Sequence, residues 1–445
     1  MNLKSEQTDI SNLTLNNISL YSKLIENNYF KILVGLFAFS IPALSLAVGS
    51  GHSIGPALLT IVALIYLPKL GTYFQGLQKD DKILIVTLAS YFLIFSISIV
   101  LDGFHTREFD RPSRFLLAAL ALIILLKTRI KAELVLYGVI IGATSTGLLA
   151  IYQYFVLDMV RPHGFKIVIA YGNDSLLLAL LALASIGFFL TQKKYLLVAL
   201  CVIAATFAIS AFIFSGTRGG WLATPLILLV LCSFRKKLKT SLLLSITSII
   251  FVLIIAMLLS PKLGTLDRLK LVNTNLNNYF SGQTVATSTG LRLEMWKSAL
   301  YSFKEKPIFG TGEYGNKAYK QQQIQQGLVS SKIYAFGHAH NEIFTALSYR
   351  GLIGFLSLLS IYLVPLWLFS KVLFSKQSAL SPETKMIALG GCLIPLSYFI
   401  YGLTQSMFDH NSGSTIYPFF IVIYWAAMRG MEPLDRNIEP TDSLS

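Results

Sequence analysis

Two short stretches place chemically active side chains in apolar surroundings. In "YAFGHAHNEIFTALSYRGLIGF" (334–355), His338 and His340 lie two apart just ahead of an apolar run. In extended backbone their rings share a side. A neutral imidazole titrates near 6.5 and accepts a proton at neutral pH, which suits a general base. The other readings are polar helix-entry residues or metal ligands; a zinc site would need a third and usually a fourth partner, and the chain has no suitable cysteine. Asn341 is a good helix cap, and Glu342 in the first turn complements the helix dipole. In "FSGTRGGWLA" (214–223), Arg218 stands alone in the apolar stretch from Tyr195 to Cys232. A cation at bilayer depth costs about 2.5–3.5 kcal/mol. Gly216, Gly219 and Gly220 around it predict a tight turn where the backbone comes close to a neighbour. Such an arginine either marks a hairpin turn and reaches for lipid headgroups, or binds a phosphate near the membrane surface.

Further arginines follow the same pattern. "FHTREFDRPSRFLLAAL" supplies Arg107, Arg111 and Arg114 beside Asp110, which could pair with one of them. "VRPHGFKIVIAYGND" adds Arg161 and His163, then Asn173 and Asp174, which are expected to break or cap a helix. Arg292 lies in "STGLRLEMWKSALYSF", where Leu293, Trp296, Leu300 and Phe303 have the spacing of one helix face and Ser288 or Thr289 could cap the start. The planar guanidinium fork binds phosphate bidentately. Arginines can therefore hold a diphosphate and stabilise the charge that builds as it leaves. A positioned base helps a sugar hydroxyl attack by about 10²–10⁴-fold. The loops show no Asp-x-Asp pair, so no divalent metal is implied and arginines take its place. These residue types suit glycosyl transfer from a lipid diphosphate, with no cofactor.

The elements that hold these residues are membrane helices. Of 445 residues, 54% are hydrophobic and only 13% charged, about half the charged share of a soluble domain. Twelve apolar runs, near 32–49, 54–68, 83–101, 113–127, 133–157, 168–191, 195–214, 219–234, 241–260, 352–374, 385–405 and 414–428, approach or reach the length of a bilayer span. The reading is an all-α polytopic membrane protein of about twelve transmembrane helices. The polar first thirty residues lack the design of a cleaved signal peptide, so the first helix is retained. Cys201, Cys232 and Cys392 fall inside runs and read as buried apolar side chains.

The net charge of +15 follows topology rather than a nucleic-acid partner. With the amino terminus inside, cytoplasmic segments carry twenty lysines and arginines against six in the short outer loops. That asymmetry places both termini in the cytoplasm. Sixteen of the twenty are Lys, whereas five of the six are Arg, and all six histidines (His52, His105, His163, His338, His340, His410) fall outside. The expected organisation is a cytoplasmic segment 1–30, helices 1–9 over 31–260, a periplasmic catalytic lid 261–351, helices 10–12 over 352–428, and a cytoplasmic tail 429–445.

The pieces "DRPSRFLLA", "RPHGFKIVIAYGN", "FSGTRGGWLA", the Arg of "GLRLEMWKSAL" before "PIFGTGEYG", and "GHAHNEIFTALSYRGLIGF" occur in order from 110 to 355. In them the chain resembles the O-antigen ligase branch of the superfamily that also holds O-antigen polymerases and protein O-oligosaccharyltransferases. The resemblance implies a GT-C-like inner-membrane enzyme that moves polysaccharide from undecaprenyl diphosphate to the lipid A–core of lipopolysaccharide, at the periplasmic face and without metal. It further implies Arg218 and Arg292 at the diphosphate; from the clustering of arginines in the outer loops, Arg161, Arg114 and Arg111 are expected to join them. His340 would be the base, with His338 as its partner or as the base itself, and Asn341 in support. A polysaccharide-lipid transporter is the rival from another class; it would usually show pseudo-repeated halves with interrupted helices, and no such symmetry is visible.

Overall fold

In hydrocarbon every backbone N–H and C=O must be satisfied within the protein, which makes helices of the apolar runs. The computed structural model describes residues 25, 27–233, 274–281, 284–377 and 380–432. Among these residues the regular structure is entirely helical. The helices are α1 (Asn28–Leu44), α2 (Gly51–Ile65), α3 (Leu67–Gln75), α4 (Lys79–Leu101), α5 (Asp110–Thr128), α6 (Ala132–Phe155) and α7 (Val168–Thr191). They continue with α8 (Tyr195–Ser215), α9 (Pro225–Ser233), α10 (Ser288–Glu305), α11 (Glu313–Gln325), α12 (Glu342–Leu373), α13 (Pro382–Gly402) and α14 (Asn411–Gly430). Six of them (α4, α6, α7, α8, α12 and α13) are long and apolar enough to cross a membrane, and α2 with α3, bent by 86°, could add a seventh. This is a multi-pass membrane protein. The ninth apolar run, 241–260, lies outside the described residues, as do Cys232's side chain and most of 1–30 and 429–445.

α7 is buried along nearly its whole length, enclosed by α6, α8 and α13. α6 packs closely on α1 and α8 because Gly138, Gly142 and Gly147 leave room where a Cβ would collide with the carbonyls of Phe39, Pro42 and Phe207. Small residues at such contacts are the usual means of membrane helix packing. Asn173 and Asp174 do not break or cap α7, as the sequence reading expected; both are buried inside a continuous helix. Asp174 instead pairs with Lys166 (3.6 Å) and accepts from Tyr398 Oη (3.0 Å). A buried carboxylate needs such partners, and Lys166 supplies the charge from just before the helix. Cys201 and Cys392 are buried free thiols.

Helix α12 carries the main irregularity. Gly351 adopts φ +63° and ψ −157°, splitting the helix into two pieces. The break frees backbone groups, and the loop at 307–312 takes them up. Thr311 N donates to Ser348 O (2.9 Å), Gly312 N to Tyr349 O (2.9 Å), Leu352 N to Pro307 O (2.8 Å) and Ile353 N to Ile308 O (3.2 Å). These four bonds join the lid segment to a membrane helix. Asp102, at the end of α4, adds two more by accepting from Tyr314 N and Gly315 N at the start of α11. In the lid itself α10 forms as expected, but its cap is Thr287, whose side chain accepts from Gly290 N. The buried stripe also lies further round than the apolar spacing suggested: Met295, Ser298, Ala299 and Ser302 are buried, whereas Leu300 is exposed. Hydrogen bonds chose that face. Gln323 bonds Ser298 and Ser302, and Glu294 accepts from Tyr279 Oη and Ser330 N.

All six histidines sit at the end of the bundle that carries the lid. At the opposite end, Asp81 accepts from Arg429 Nε (2.9 Å) and Trp425 Nε1 (2.8 Å), tying α4 to α14. Asp81 and Arg429 side chains are only 4% and 13% exposed, whereas Lys371, the partner of Asp80, is 55% exposed. Asp81→Ala leaves Arg429 with Glu432 as its remaining carboxylate and Trp425 Nε1 without its acceptor, and should lower stability by about 2 kcal/mol. Asp80→Ala should cost less than about 1 kcal/mol. Thermal unfolding of the detergent-purified variants checks the contrast.

Candidate active site

The turn between α8 and α9 has the form its glycines implied. Gly216 ends α8 at φ +62°, and Arg218 precedes a 3₁₀ turn at Gly219–Ala223. A Cβ on Gly219 would collide with Thr404 Oγ1, and one on Gly220 would crowd the Phe212 ring. Arg161 caps the end of α8, donating from Nε to Ser215 O (2.8 Å) and from Nη2 to Gly216 O (3.4 Å). Arg161, Arg218 and Arg292 then line one cavity of about 600 Å³ together with Thr217, Ser288, Thr289 and Thr404. Among the described residues that line it there is no carboxylate. Burial, and after it the charge of Arg218, holds the Arg292 guanidinium below its ordinary pKa.

Helix α10 connects this cavity to the histidines. Arg292 and Trp296 are four apart and share a helix face. Trp296 Nε1 donates to Ala339 O (3.0 Å), and its ring stacks on Phe344 (5.2 Å). Ala339 and Phe344 flank His340 on either side in sequence. His340 lies in the left-handed region at φ +49°, a conformation that costs a non-glycine residue about 1–2 kcal/mol. Its Nδ1–H donates to Gln405 Oε1 (2.6 Å), and Gln405 Nε2 donates to His410 Nε2 (2.9 Å). With the Nδ1 proton given to an amide oxygen, Nε2 of a neutral His340 carries the lone pair. His338 differs, because its Nδ1 accepts the His340 backbone N–H (3.2 Å). A neutral His338 then bears its proton on Nε2 and has no second basic nitrogen to offer. The two rings are 4.4 Å apart, and His410 is 5.6 Å from His338.

Burial lowers the pKa of all three imidazoles. His338 is pushed down to about 4, with Asp409 opposing the shift and His340, His410 and Lys320 adding to it. For His340 the Gln405 hydrogen bond and Asp409 oppose the shift, whereas Arg292 reinforces it. His340 thus stands in the field of an arginine that lines the cavity. Asn341 caps α12, accepting from Ile343 N (2.9 Å) and Phe344 N (3.2 Å) while its Nδ2 donates to Leu403 O (3.0 Å).

The structure does not bring Arg111 and Arg114 to this cavity. Arg111 pairs with Glu313 of the lid and with Asp409 (3.2 Å). Arg114 pairs with Asp110 (2.8 Å) and donates to Thr415 Oγ1 (3.0 Å). Nearby carboxylates account for both positions. Sequence reading also passed over Gln405, Asp409 and the part played by His410. The available signal was the density of polar residues in the short link "LTQSMFDHNSG" between two apolar runs. Among the described residues no group of three His, Cys, Asp or Glu side chains has metal-binding geometry.

Fold and site together define a polytopic helical membrane protein with a cationic cavity beside a cluster of neutral imidazoles. The O-antigen ligase family model matches residues 203–359, a span that holds Arg218, Arg292, His338 and His340. An uncharacterized protein of Haemophilus influenzae is 31% identical over 387 residues, covering 87% of this chain and 95% of that protein. The chain belongs to the O-antigen ligase/polymerase superfamily, whose members are glycosyltransferase-like enzymes.

An anion should relieve the crowding of like charges in the cavity. Inorganic pyrophosphate at a hundred times its Kd should stabilise the protein by about 2.7 kcal/mol. The combined variant Arg218→Gln, Arg292→Gln should lose that gain. Melting curves with and without pyrophosphate test this.

Proposed function

We propose that the protein is a metal-independent O-antigen ligase that transfers polysaccharide from undecaprenyl diphosphate to the lipid A–core of lipopolysaccharide. The observation that carries the reading is the convergence of Arg161, Arg218 and Arg292 on one cavity. Beside it stands His340, with its lone pair on Nε2. The guanidinium groups hold the donor's diphosphate. The acceptor hydroxyl gives its proton to His340 Nε2, and its oxygen attacks the anomeric carbon. The bond from that carbon to the phosphate oxygen breaks, and its electron pair leaves with undecaprenyl diphosphate. Arginine charge stabilises that leaving group, as preorganised cations do in phosphoryl and glycosyl chemistry. The lone-pair arrangement favours His340 over His338 as the base.

In this reading the enzyme is GT-C-like with about twelve transmembrane helices and lies in the inner membrane. Residues 1–30 and 429–445 are cytoplasmic, 31–260 and 352–428 form the spans, and 261–351 is the periplasmic catalytic lid. An O-antigen polymerase or a protein O-oligosaccharyltransferase would use the same arginines and imidazole with a different acceptor. Transfer from a purified lipid-linked polysaccharide, with lipid A–core and a peptide competing and chelator present, separates the three. The expected product is capped lipid A–core.

Arg292→Ala should weaken donor binding by about 2–5 kcal/mol, with incomplete rescue by Arg292→Lys because an ammonium cannot make the fork contact. His340→Ala should lower kcat by about 10²–10⁴-fold. Full activity of Arg218→Lys, Arg292→Lys and His340→Ala at normal protein levels would overturn the enzyme reading.

The pH profile gives an independent check. The base works as neutral imidazole, so activity falls as pH drops through the His340 pKa, which lies below the ordinary 6.5. Gln405→Glu places a carboxylate on Nδ1–H and stabilises the imidazolium. The acid limb of kcat/KM should then move to higher pH, by about one unit. An unchanged limb would remove His340 from the role of base.

A further inference from the structure

A second cavity, of about 420 Å³, lies in the lid near the histidines, lined by Tyr314, Tyr334, Phe336, Lys317, Lys320 and Glu313 among others. Its size falls within the roughly 300–1,000 Å³ of small-molecule sites. Phe336 connects it to the proposed catalytic residues, since its ring is 5.7 Å from that of His340 and only Gly337 separates it from His338. Each cavity also places a cation near the imidazoles: Arg292 acts on His340 and Lys320 acts on His338.

The lining of this lid cavity points to a sugar that bears an anion. Tyr314 and Tyr334 are 52% and 43% exposed and so offer ring faces to a ligand in the cavity they line. Tyr314 is held by stacking on His105 (3.7 Å between centroids), and Lys317 Nζ stands 5.7 Å over the Tyr334 ring. Lys320 is buried, its Nζ donating to Phe336 O (2.6 Å). The carboxylate in the lining, Glu313, is engaged by Arg111. The cavity is then faced by two ammonium groups, aromatic rings and a carboxylate already paired with Arg111. Aromatic faces pack against the C–H face of a pyranose, and ammonium groups bind a phosphate or carboxylate carried on it.

We propose that this lid cavity is the acceptor subsite, taking a short anionic saccharide whose hydroxyl is thereby directed at His340. The assignment rests on the glycosyl-transfer reading above. It gives donor and acceptor separate cavities near the base, with Phe336 on the wall of the acceptor cavity nearest His340.

The test uses the full-length enzyme in nanodiscs and lipid A–core from cells that make no O-polysaccharide. Binding of this probe is measured without any donor, so the result stands even if undecaprenyl diphosphate is not the donor. Tyr334→Ala and Lys317→Gln should each weaken probe binding by about tenfold, the effect of losing one well-placed contact. In transfer assays the loss should appear in the acceptor KM rather than in kcat. Undecaprenyl diphosphate binding, followed in parallel, reports on the arginine cavity alone. Acceptor stripped of phosphate with hydrofluoric acid, or with its carboxyl groups reduced, identifies the anion. One treatment should weaken wild-type binding and leave Lys317→Gln unaffected. Wild-type affinity in both variants would overturn the subsite, whatever the donor binding shows. Insensitivity of the wild type to both treatments would overturn its anionic specificity.

Discussion

Like charges drawn into one cavity are the constraint from which the site follows. Arg111, Arg114 and Arg429 each rest against a carboxylate. Arg218 and Arg292 share a cavity whose described lining residues include none, and Arg292 is destabilised as a cation by burial and by Arg218. Such an arrangement is unfavourable in the resting protein and favourable once a polyanion arrives. The neighbouring backbone is shaped to maintain it. Glycines let the Arg218 turn close against Thr404, and Arg161 fixes the end of α8 from below the same cavity.

Arg292 reaches that cavity because the lid is fastened to α12. The left-handed Gly351 opens the helix, and the loop at 307–312 satisfies the backbone groups that the break exposes. Non-helical backbone at such a place is tolerated only when protein encloses it. The same attachment orients α10, whose Trp296 holds Ala339 and thereby sets the strained His340 beside Arg292. Gln405 then fixes which imidazole nitrogen is basic. Its neighbour Thr404 lines the arginine cavity, so one short link between α13 and α14 serves both halves of the site.

Much of this was legible in the sequence because lipid imposes simple rules. Among the described residues helices lie on each of the apolar runs, the run at 241–260 falling outside them. Arg218 was conspicuous for standing alone in an apolar stretch. What the sequence concealed depended on distant partners. Asp174 looked like a helix breaker until Lys166 and Tyr398 were seen to satisfy it. The buried face of α10 was set by Gln323, a residue of the next helix. Arg111 and Arg114 resembled the cavity arginines in type and spacing, and only the positions of Glu313, Asp409 and Asp110 distinguish them. Gln405 carries no signature of its own; its meaning lies in the two imidazoles it touches.

The most direct measurement is a cryo-electron-microscopy structure of the protein in nanodiscs with undecaprenyl diphosphate bound. The account predicts diphosphate density within hydrogen-bond reach of both Arg218 and Arg292, on the side of the cavity that faces His340. Density for the headgroup at Arg111 and Arg114, or anywhere that Arg218 and Arg292 do not both touch, would contradict it.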